Sequence, residues 1–270
     1  MKIFQDILNF VFPKKCSWCW NYWENLCKNC LENFSERSEK FFNLEKNFSE
    51  DKKVFEKIYS PFFYQKNPVL KKILKDIKYK NKFSKFSGLE EKIFFEFEKF
   101  LEEIFIATNK DVPAEHLYEV KNKNIFLIPT PLHWKKFLKR WFNQSEIFCD
   151  FLEKKFNKKN IKKLNLIKKM KNTKPQAEYS RNERLENLEW VFKVRKKIFW
   201  NKFNFWSEAC LSDSEFCSEK VEIISKDKSV FIIIDDILST WSTMKNCWTE
   251  IKKHFPESKV FWFTICSDRK

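Results

Sequence analysis

Apolar residues recur along this chain at two different spacings, which predict alternating helices and strands. Helical spacing predicts helices over residues 1–16, 67–80, 88–107, 143–156 and 242–254. Short apolar runs predict buried strands over residues 54–64, 125–128, 161–167, 230–235 and 259–265. Such alternation is typical of an α/β fold with a largely parallel sheet, which binds ligands at the carboxyl ends of its strands.

Two stretches interrupt this alternation. Residues 171–188 are polar and end as a helix, whereas residues 195–229 are irregular, mixed in charge and predicted to be an inserted loop of low order. A chain of 270 residues has room for one large domain and a small module. We therefore predict an N-terminal helix and cysteine module over residues 1–45, followed by an α/β domain over residues 54–270.

The glycine and tryptophan contents change how the loops are interpreted. The chain contains one glycine, Gly88, and 11 tryptophans, whereas ordinary usage of about 7% would give roughly 19 glycines. Glycine serves positions with positive φ and positions where the backbone approaches a ligand closely. A folded α/β protein with a single glycine is hard to build, and tryptophan is the residue in excess.

The net charge of +16 points to polyanions only weakly. A basic surface attracts nucleic acid, but Lys, Asn and Phe are all abundant, as an A/T-rich gene would make them. Lysines scattered by codon bias explain the charge at least as well, and no basic run with interleaved aromatics stands out. No stretch reaches the ~18 apolar residues of a membrane span and no cleavable leader is evident, so we predict a cytoplasmic protein.

Four of the nine cysteines form a cluster with the spacing of metal ligands. Cys16, Cys19, Cys27 and Cys30 make two Cys-x-x-Cys pairs seven residues apart. Two pairs this close favour a structural zinc ion held by four thiolates over a chance cluster or a redox dithiol. The remaining cysteines show no ligand spacing and are predicted to be buried apolar residues.

The stretch FIIIDDILSTWSTM carries the second candidate site. A strand leads into Asp235 and Asp236, and residues 239–243 then turn into a helix. Neighbouring carboxylates can accept hydrogen bonds from ribose hydroxyls or hold Mg²⁺, and a helix N-terminus suits a phosphate. A buried strand followed by a capped helix, with solvated acids, is an equally good interpretation of this stretch alone.

This stretch resembles the 5-phosphoribosyl-1-pyrophosphate (PRPP) motif of type I phosphoribosyltransferases, residue for residue if position 241 is glycine. Further segments resemble the ComF family, competence-associated phosphoribosyltransferase-like proteins with an N-terminal zinc knuckle. They are FVFPKKC with the four cysteines, the helix ending IKYK, LIPTPLHWKKFLKRWFNQ, KNTKPQAEYSRNERLENLEWVFKV and VFWFTIC. The family favours glycine where this chain has Trp18, Trp20, Trp141, Trp190, Trp241 and Trp262.

The resemblance implies a type I phosphoribosyltransferase fold and a pentosyl transferase activity with an unknown acceptor. It implies that Asp235 and Asp236 hold the ribose hydroxyls with Mg²⁺. The 5-phosphate would be bound by Ser239, Thr240, Trp241 as glycine, Ser242 and Thr243.

The resemblance also reaches other segments around the site. Arg140 is a candidate phosphate contact, and the PTPLH turn with His133 is a candidate pyrophosphate or acceptor loop. A lone surface arginine and a structural histidine are the more common outcomes for those two residues. The segment of Lys171, Thr173, Gln176 and Arg184 could fold over the site, with no role assigned.

One hypothesis accounts for the misplaced tryptophans. In a genetic code that reads UGA as glycine, the wrong translation table writes tryptophan at every such codon, so most or all of the 11 tryptophans would be glycine in the native protein. If the printed residues are literal, an indole at position 241 obstructs the close approach of the backbone to a phosphate. PRPP binding should then be lost and folding impaired.

The sequence is compatible with two functions. One is an active phosphoribosyltransferase; the other is a non-catalytic component of the DNA-uptake machinery that binds nucleotide or single-stranded DNA and partners a competence helicase.

Overall fold

The computed structural model describes residues 15–16, 18–21, 26–42, 57–80, 88–108, 125–156, 161–171, 191–195, 229–238 and 241–268. Its helices are α1 (Lys28–Glu32), α2 (Pro68–Lys80), α3 (Glu90–Thr108), α4 (Trp134–Arg140), α5 (Gln144–Lys155) and α6 (Trp241–His254). Its strands are β1 (Phe41–Phe42), β2 (Ile58–Tyr59), β3 (Phe62–Phe63), β4 (Ile125–Pro129), β5 (Ile161–Lys163), β6 (Ile167–Lys169), β7 (Phe192–Val194), β8 (Val230–Leu238) and β9 (Lys259–Ser267).

Seven of these strands form one mainly parallel sheet. The order along the sheet is β1-β2-β9-β8-β4-β5, and β3 also pairs with β9. Every pairing in it is parallel except β1 with β2. Strands β6 and β7 form a separate antiparallel pair. The predicted α/β class with a mainly parallel sheet and flanking helices is therefore confirmed.

The two faces of the sheet bury different sets of side chains because neighbouring residues of a strand point to opposite faces. In β8, Ile232 and Ile234 face a cluster formed with α2, α3, α5 and the cysteine segment. Phe231 and Ile233 face the other cluster, which contains α6, β6 and β7. Burial on both faces explains why β8 and β9 are near-continuous apolar runs.

The predicted elements largely match the observed ones, with boundary shifts. Helices α2, α3, α5 and α6 were all predicted, and the Asn143 side chain accepts a hydrogen bond from the Ser145 N–H at the start of α5. The predicted strand over 54–64 is two short strands, and that over 161–167 is also two. Strand β8 continues three residues beyond its predicted end, and α4 was not predicted.

Several predicted features lie outside the described residues. They are the helix at the N-terminus, the boundary between the two predicted units, the residues of the polar segment beyond Lys171, and nearly all of the loop over 195–229.

The cysteine segment packs directly against the sheet and α3. Cys16, Cys27 and Cys30 share a hydrophobic cluster with Tyr59 and Phe97. The only glycine lies at this contact, where a Cβ on Gly88 would overlap the Cβ of Leu26. Close approach, with no positive φ, is therefore the reason for glycine at this position.

A buried polar network holds the residues after α1 to α3. Glu96 is 1% exposed, accepts a hydrogen bond from the Tyr59 hydroxyl at 2.6 Å and receives the Lys40 ammonium at 2.9 Å on both oxygens. Glu36 bridges Lys40 and Lys92 at 3.1 and 3.2 Å. A carboxylate this deeply buried requires such partners, because an unpaired one would cost several kcal/mol.

Candidate functional site

The four clustered cysteines meet in space as their spacing predicted. All four sulfurs lie within 4.8 Å of one another, with Cys16 Sγ 3.7 Å from Cys30 Sγ and Cys19 Sγ 3.4 Å from Cys27 Sγ. These separations exceed the ~2.05 Å of a disulfide. They approach the ~3.8 Å edge of a tetrahedron with zinc–sulfur bonds of ~2.3 Å. The set can therefore hold a metal ion such as zinc.

The electrostatics of the cluster fit a cation. Burial opposes ionisation of Cys16, but backbone N–H groups directed at its sulfur outweigh it and lower its pKa to about 6. Burial and the neighbouring sulfurs raise the pKa of Cys30. Four thiolates cannot ionise together without a compensating positive charge, which a divalent metal supplies.

Asp235 and Asp236 lie near the carboxyl end of β8, beyond the end of its neighbour β4. The last paired residue of β4 is Pro129, opposite Ile234, whereas Asp235 still pairs with Thr264 of β9. The acids therefore border a step in the sheet where β8 has lost one neighbour. The carboxyl edge of a mainly parallel sheet is where α/β proteins place their ligands.

The carboxylates of Asp235 and Asp236 are adjacent, and the charge of Asp236 disfavours ionisation of Asp235. Asp235 Oδ1 accepts the Asp236 N–H at 3.0 Å, and Asp236 Oδ1 accepts the Ile237 N–H at 2.9 Å. Burial, followed by the adjacent charge of Asp236, raises the pKa of Asp235 well above its ordinary value. Such a pair favours a proton or a divalent cation between the acids.

The Asp236 carboxylate is buried, and only one of its two oxygens accepts a hydrogen bond among the described residues. The residue is 8% exposed, and its Oδ2 has no hydrogen-bond partner among the described residues. The nearest cation is the Lys78 ammonium of α2, at 3.7 Å from that oxygen. This is longer than a hydrogen bond, so the pair interacts through charge alone.

Further cations lie near Lys78 and Asp235. Partial desolvation, then the charges of Arg140 and Lys78, lower the pKa of Lys136, although its side chain is exposed on α4. Burial and Lys136 lower the pKa of Lys169, and Asp235 opposes that shift. The Arg140 guanidinium lies 5.4 Å from the centre of the Tyr79 ring. Arg140 was predicted from the sequence; Lys78, Lys136 and Lys169 were not, since they come from three separate elements.

The PTPLH turn connects β4 to α4 beside this site. Thr130 donates its N–H and its hydroxyl to the Ile234 carbonyl, each at 2.9 Å, and Asn143 Nδ2 donates to the Thr130 carbonyl at 3.0 Å. His133 is buried, and its Nδ1 accepts the Lys135 N–H at 3.2 Å, which caps α4. Burial lowers its pKa, against a hydrogen bond with the backbone of Met170. His133 therefore caps α4, and it is not assigned as a catalytic base. The turn itself lies close to the acids through the contact of Thr130 with Ile234.

The predicted phosphate loop is described only in part. Helix α6 begins at Trp241, and Ser242 and Thr243 occupy its first turn. Ser239 and Thr240 fall between β8 and α6, outside the described residues, as does the side chain of Trp241. Both acids lie within β8 rather than at its end, and the helix begins at Trp241, one residue before its predicted start. Of the segment that could fold over the site, Thr173, Gln176 and Arg184 also lie outside the described residues.

The backbone φ angles test independently whether glycine suits the positions occupied by tryptophan. Among the described residues, the non-glycine positions with positive φ are Trp20 at 65° and Trp141 at 64°. Trp20 follows the first cysteine pair, and Trp141 ends α4 with its N–H donated to the Phe137 carbonyl at 2.6 Å. A left-handed residue directly after a helix is the position where glycine is most common. Trp262, in contrast, is buried in the strand β9, where nothing in the backbone calls for glycine.

Glycine substitutions at the two ends of α4 are expected to have opposite effects. Trp141 is 71% exposed with positive φ, and Trp134 is 58% exposed at the first helical position. Trp141→Gly should raise the free energy of unfolding by about 1 kcal/mol, because it relieves a left-handed conformation. Trp134→Gly should leave it unchanged or lower it by up to about 1 kcal/mol. Urea unfolding of both variants measures this, and equal effects of the two would contradict the assignment of position 141.

No protein-family model matches the sequence, and a search of curated proteins found no match. Among the described residues, no helix is both long and apolar enough to cross a lipid bilayer.

Proposed function

We propose that the protein is a cytoplasmic phosphoribosyltransferase-like protein that binds PRPP or a related phosphoribosyl ligand through Asp235 and Asp236. The single observation that carries this proposal is the placement of the acids. They lie near the carboxyl end of the buried parallel strand β8, at a step in the sheet, six and five residues before the first residue of α6. The Lys78 ammonium lies 3.7 Å from Asp236 Oδ2, and Lys169 is close enough to Asp235 to interact with its charge. The resemblance to the ComF family and its association with DNA uptake supports the same assignment.

The ligand's groups match the charges around the acids. Vicinal ribose hydroxyls can donate to the two carboxylates, and the 5-phosphate can accept from the backbone N–H groups at the start of α6. The diphosphate can bind the cationic side chains of α2, α4 and β6, which are Lys78, Lys136, Arg140 and Lys169. Mg²⁺, when bound, would neutralise part of the diphosphate and favour its departure as pyrophosphate. The chain's own acids would stabilise the positive charge that develops on the ribose as the bond breaks.

The zinc ion proposed at the cysteine cluster has a structural task in this scheme. Its four ligands leave no open coordination position, which is typical of structural sites. The cluster also lies in the hydrophobic core shared with α3 and β2 rather than beside the acids. The metal would therefore stabilise the fold on which the site is built.

The proposal is tested by the release of pyrophosphate from PRPP with Mg²⁺, screened against bases and amines. We expect release with at least one acceptor, and saturable PRPP binding even without one. Both should be measured for the chain with glycine at position 241 and for the chain with tryptophan there. Absence of PRPP binding by the glycine form would overturn the proposal.

Helix α4 favours a second function, the binding of single-stranded DNA. None of its side chains is buried, and it carries Lys135, Lys136, Lys139 and Arg140 beside exposed aromatic residues. Cations interleaved with aromatic rings suit a single strand, since bases stack on the rings. Of the aromatic residues, Tyr79 does not depend on how the tryptophan codons are decoded.

Salt titration distinguishes the two functions. Tight binding of a single-stranded oligonucleotide that weakens steeply with salt, together with no pyrophosphate release from PRPP, would favour the DNA-binding component. In that case Tyr79→Ala should weaken oligonucleotide binding, because a stacked base contributes about 1–3 kcal/mol.

A further inference from the structure

Lys78 is placed where a bound ligand and the acids would compete for its charge. It projects from the last turns of α2 and is partly buried, and its ammonium lies 3.7 Å from Asp236 Oδ2. That oxygen is buried and accepts no hydrogen bond among the described residues. Lys78 is therefore the charge that neutralises Asp236 while no metal is bound, through a contact too long to be strong.

Further cations lie near Lys78. The ammonium of Lys78 lies 3.7 Å from Asp236, and Lys136 of α4 lies close enough to Lys78 and Arg140 for their charges to help lower its pKa, after partial desolvation. Cations placed this close together can be stabilised by an anion with more than one negative charge.

We propose that Lys78 exchanges partners during ligand binding: it neutralises Asp236 in the free protein and moves to the diphosphate of the ligand when a divalent cation takes its place on Asp236. This inference rests on the proposed function and adds to it the residue that couples metal binding to anion binding. Lys78 is a positioning residue in the free protein and a ligand contact in the complex.

The exchange predicts effects of opposite sign from one substitution. Lys78→Gln removes a cation that competes for Asp236, so Mn²⁺ binding to the protein alone should tighten by about threefold or more. The same change removes a charged contact to the diphosphate, so inorganic pyrophosphate with Mg²⁺ should bind about tenfold more weakly. Lys78→Arg keeps the charge and should hold both affinities near those of the unmodified chain.

Lys75→Gln is the matched control, because Lys75 is exposed on the same helix and its substitution changes the net charge by the same amount. Mn²⁺ binding can be followed by electron paramagnetic resonance and pyrophosphate binding by calorimetry, both on the full chain. Thermal melting of each variant verifies that it is folded. Neither probe contains a 5-phosphate, so neither measurement depends on the residue at position 241.

The outcomes separate this inference from the function on which it rests. Tighter Mn²⁺ and weaker pyrophosphate binding in Lys78→Gln, with Lys75→Gln unchanged, support the exchange. Shifts of the same sign, an unchanged affinity for either probe, or no binding of either probe by the unmodified chain overturn it. If pyrophosphate and Mn²⁺ behave as expected but the glycine form of the chain fails to bind PRPP, the exchange stands and the proposed phosphoribosyl ligand is wrong.

Discussion

Asp236→Asn is expected to weaken Mg²⁺-dependent PRPP binding by at least about 100-fold. The substitution keeps the shape of the side chain and the oxygen that accepts the Ile237 N–H, but it removes the negative charge from the buried oxygen beside Lys78. In the proposed complex, a metal ligand and a ribose acceptor would be lost together, and each charged contact contributes about 1.5–3 kcal/mol. Calorimetric titration of PRPP with Mg²⁺ into the variant in its glycine-241 form measures the loss.

The fold should survive this change. Asn removes one of two adjacent like charges, so the pKa of Asp235, which burial and Asp236 hold high, should fall toward its usual range. Asp268→Asn is the control, since Asp268 is exposed just past the end of the neighbouring strand β9 and accepts the Gln65 N–H. Equal losses of PRPP affinity in both variants would show that net charge, and not the acid pair, governs binding.

Removal of the metal from the cysteine cluster is expected to produce the largest loss of stability. Cys27→Ser should reduce zinc from one ion per chain to nearly none and lower the free energy of unfolding by several kcal/mol. Structural zinc contributes apparent binding free energies of about 10–16 kcal/mol in small peptides. Here the cluster is continuous with the core of the large sheet, so loss of the metal should destabilise β2 and α3 as well. Metal analysis by mass spectrometry and thermal melting measure the two effects.

A second thiol serves as the control for this substitution. Cys247 is also fully buried but lies in α6, on the opposite face of the sheet. Cys247→Ala should keep one zinc per chain and cost about 1 kcal/mol through a small cavity. Full zinc content in Cys27→Ser would show that the cluster is not a four-sulfur site.

The decoding hypothesis has its own decisive measurement. Each tryptophan that is glycine in the native protein lowers the intact mass by the same amount, so mass spectrometry of the native chain counts them. Peptides covering positions 20 and 141 are the most informative, because the backbone at both is left-handed. An intact indole at position 241 would contradict the hypothesis at the position where the proposed phosphate loop most requires glycine.

Local sequence pattern determined the elements whose signals are local. Helices α2, α3, α5 and α6 carry an apolar stripe, and β4, β8 and β9 each contain a run of at least four apolar residues, so each was predictable from its own residues. Helix α4 was missed because none of its residues is buried. Without an apolar stripe, a seven-residue helix has no periodic signal.

The sequence by itself also determined the two candidate sites, because their ligands are neighbours in the chain. The cysteine pairs needed only their spacing, and the acids needed only the strand before them and the helix after them. The cations around the acids were decided by the tertiary structure. Lys78, Lys136 and Lys169 belong to α2, α4 and β6, and lysine is too common in this chain for any one of them to be informative.

Only folding brings those lysines to one place. The parallel order of β9, β8, β4 and β5 sets the carboxyl end of β8 beside the turn after β4, and packing of α2 against the sheet brings Lys78 to Asp236. Electrostatic energy depends on distance in space. A group of charges assembled from distant segments therefore has no signature in the order of the residues.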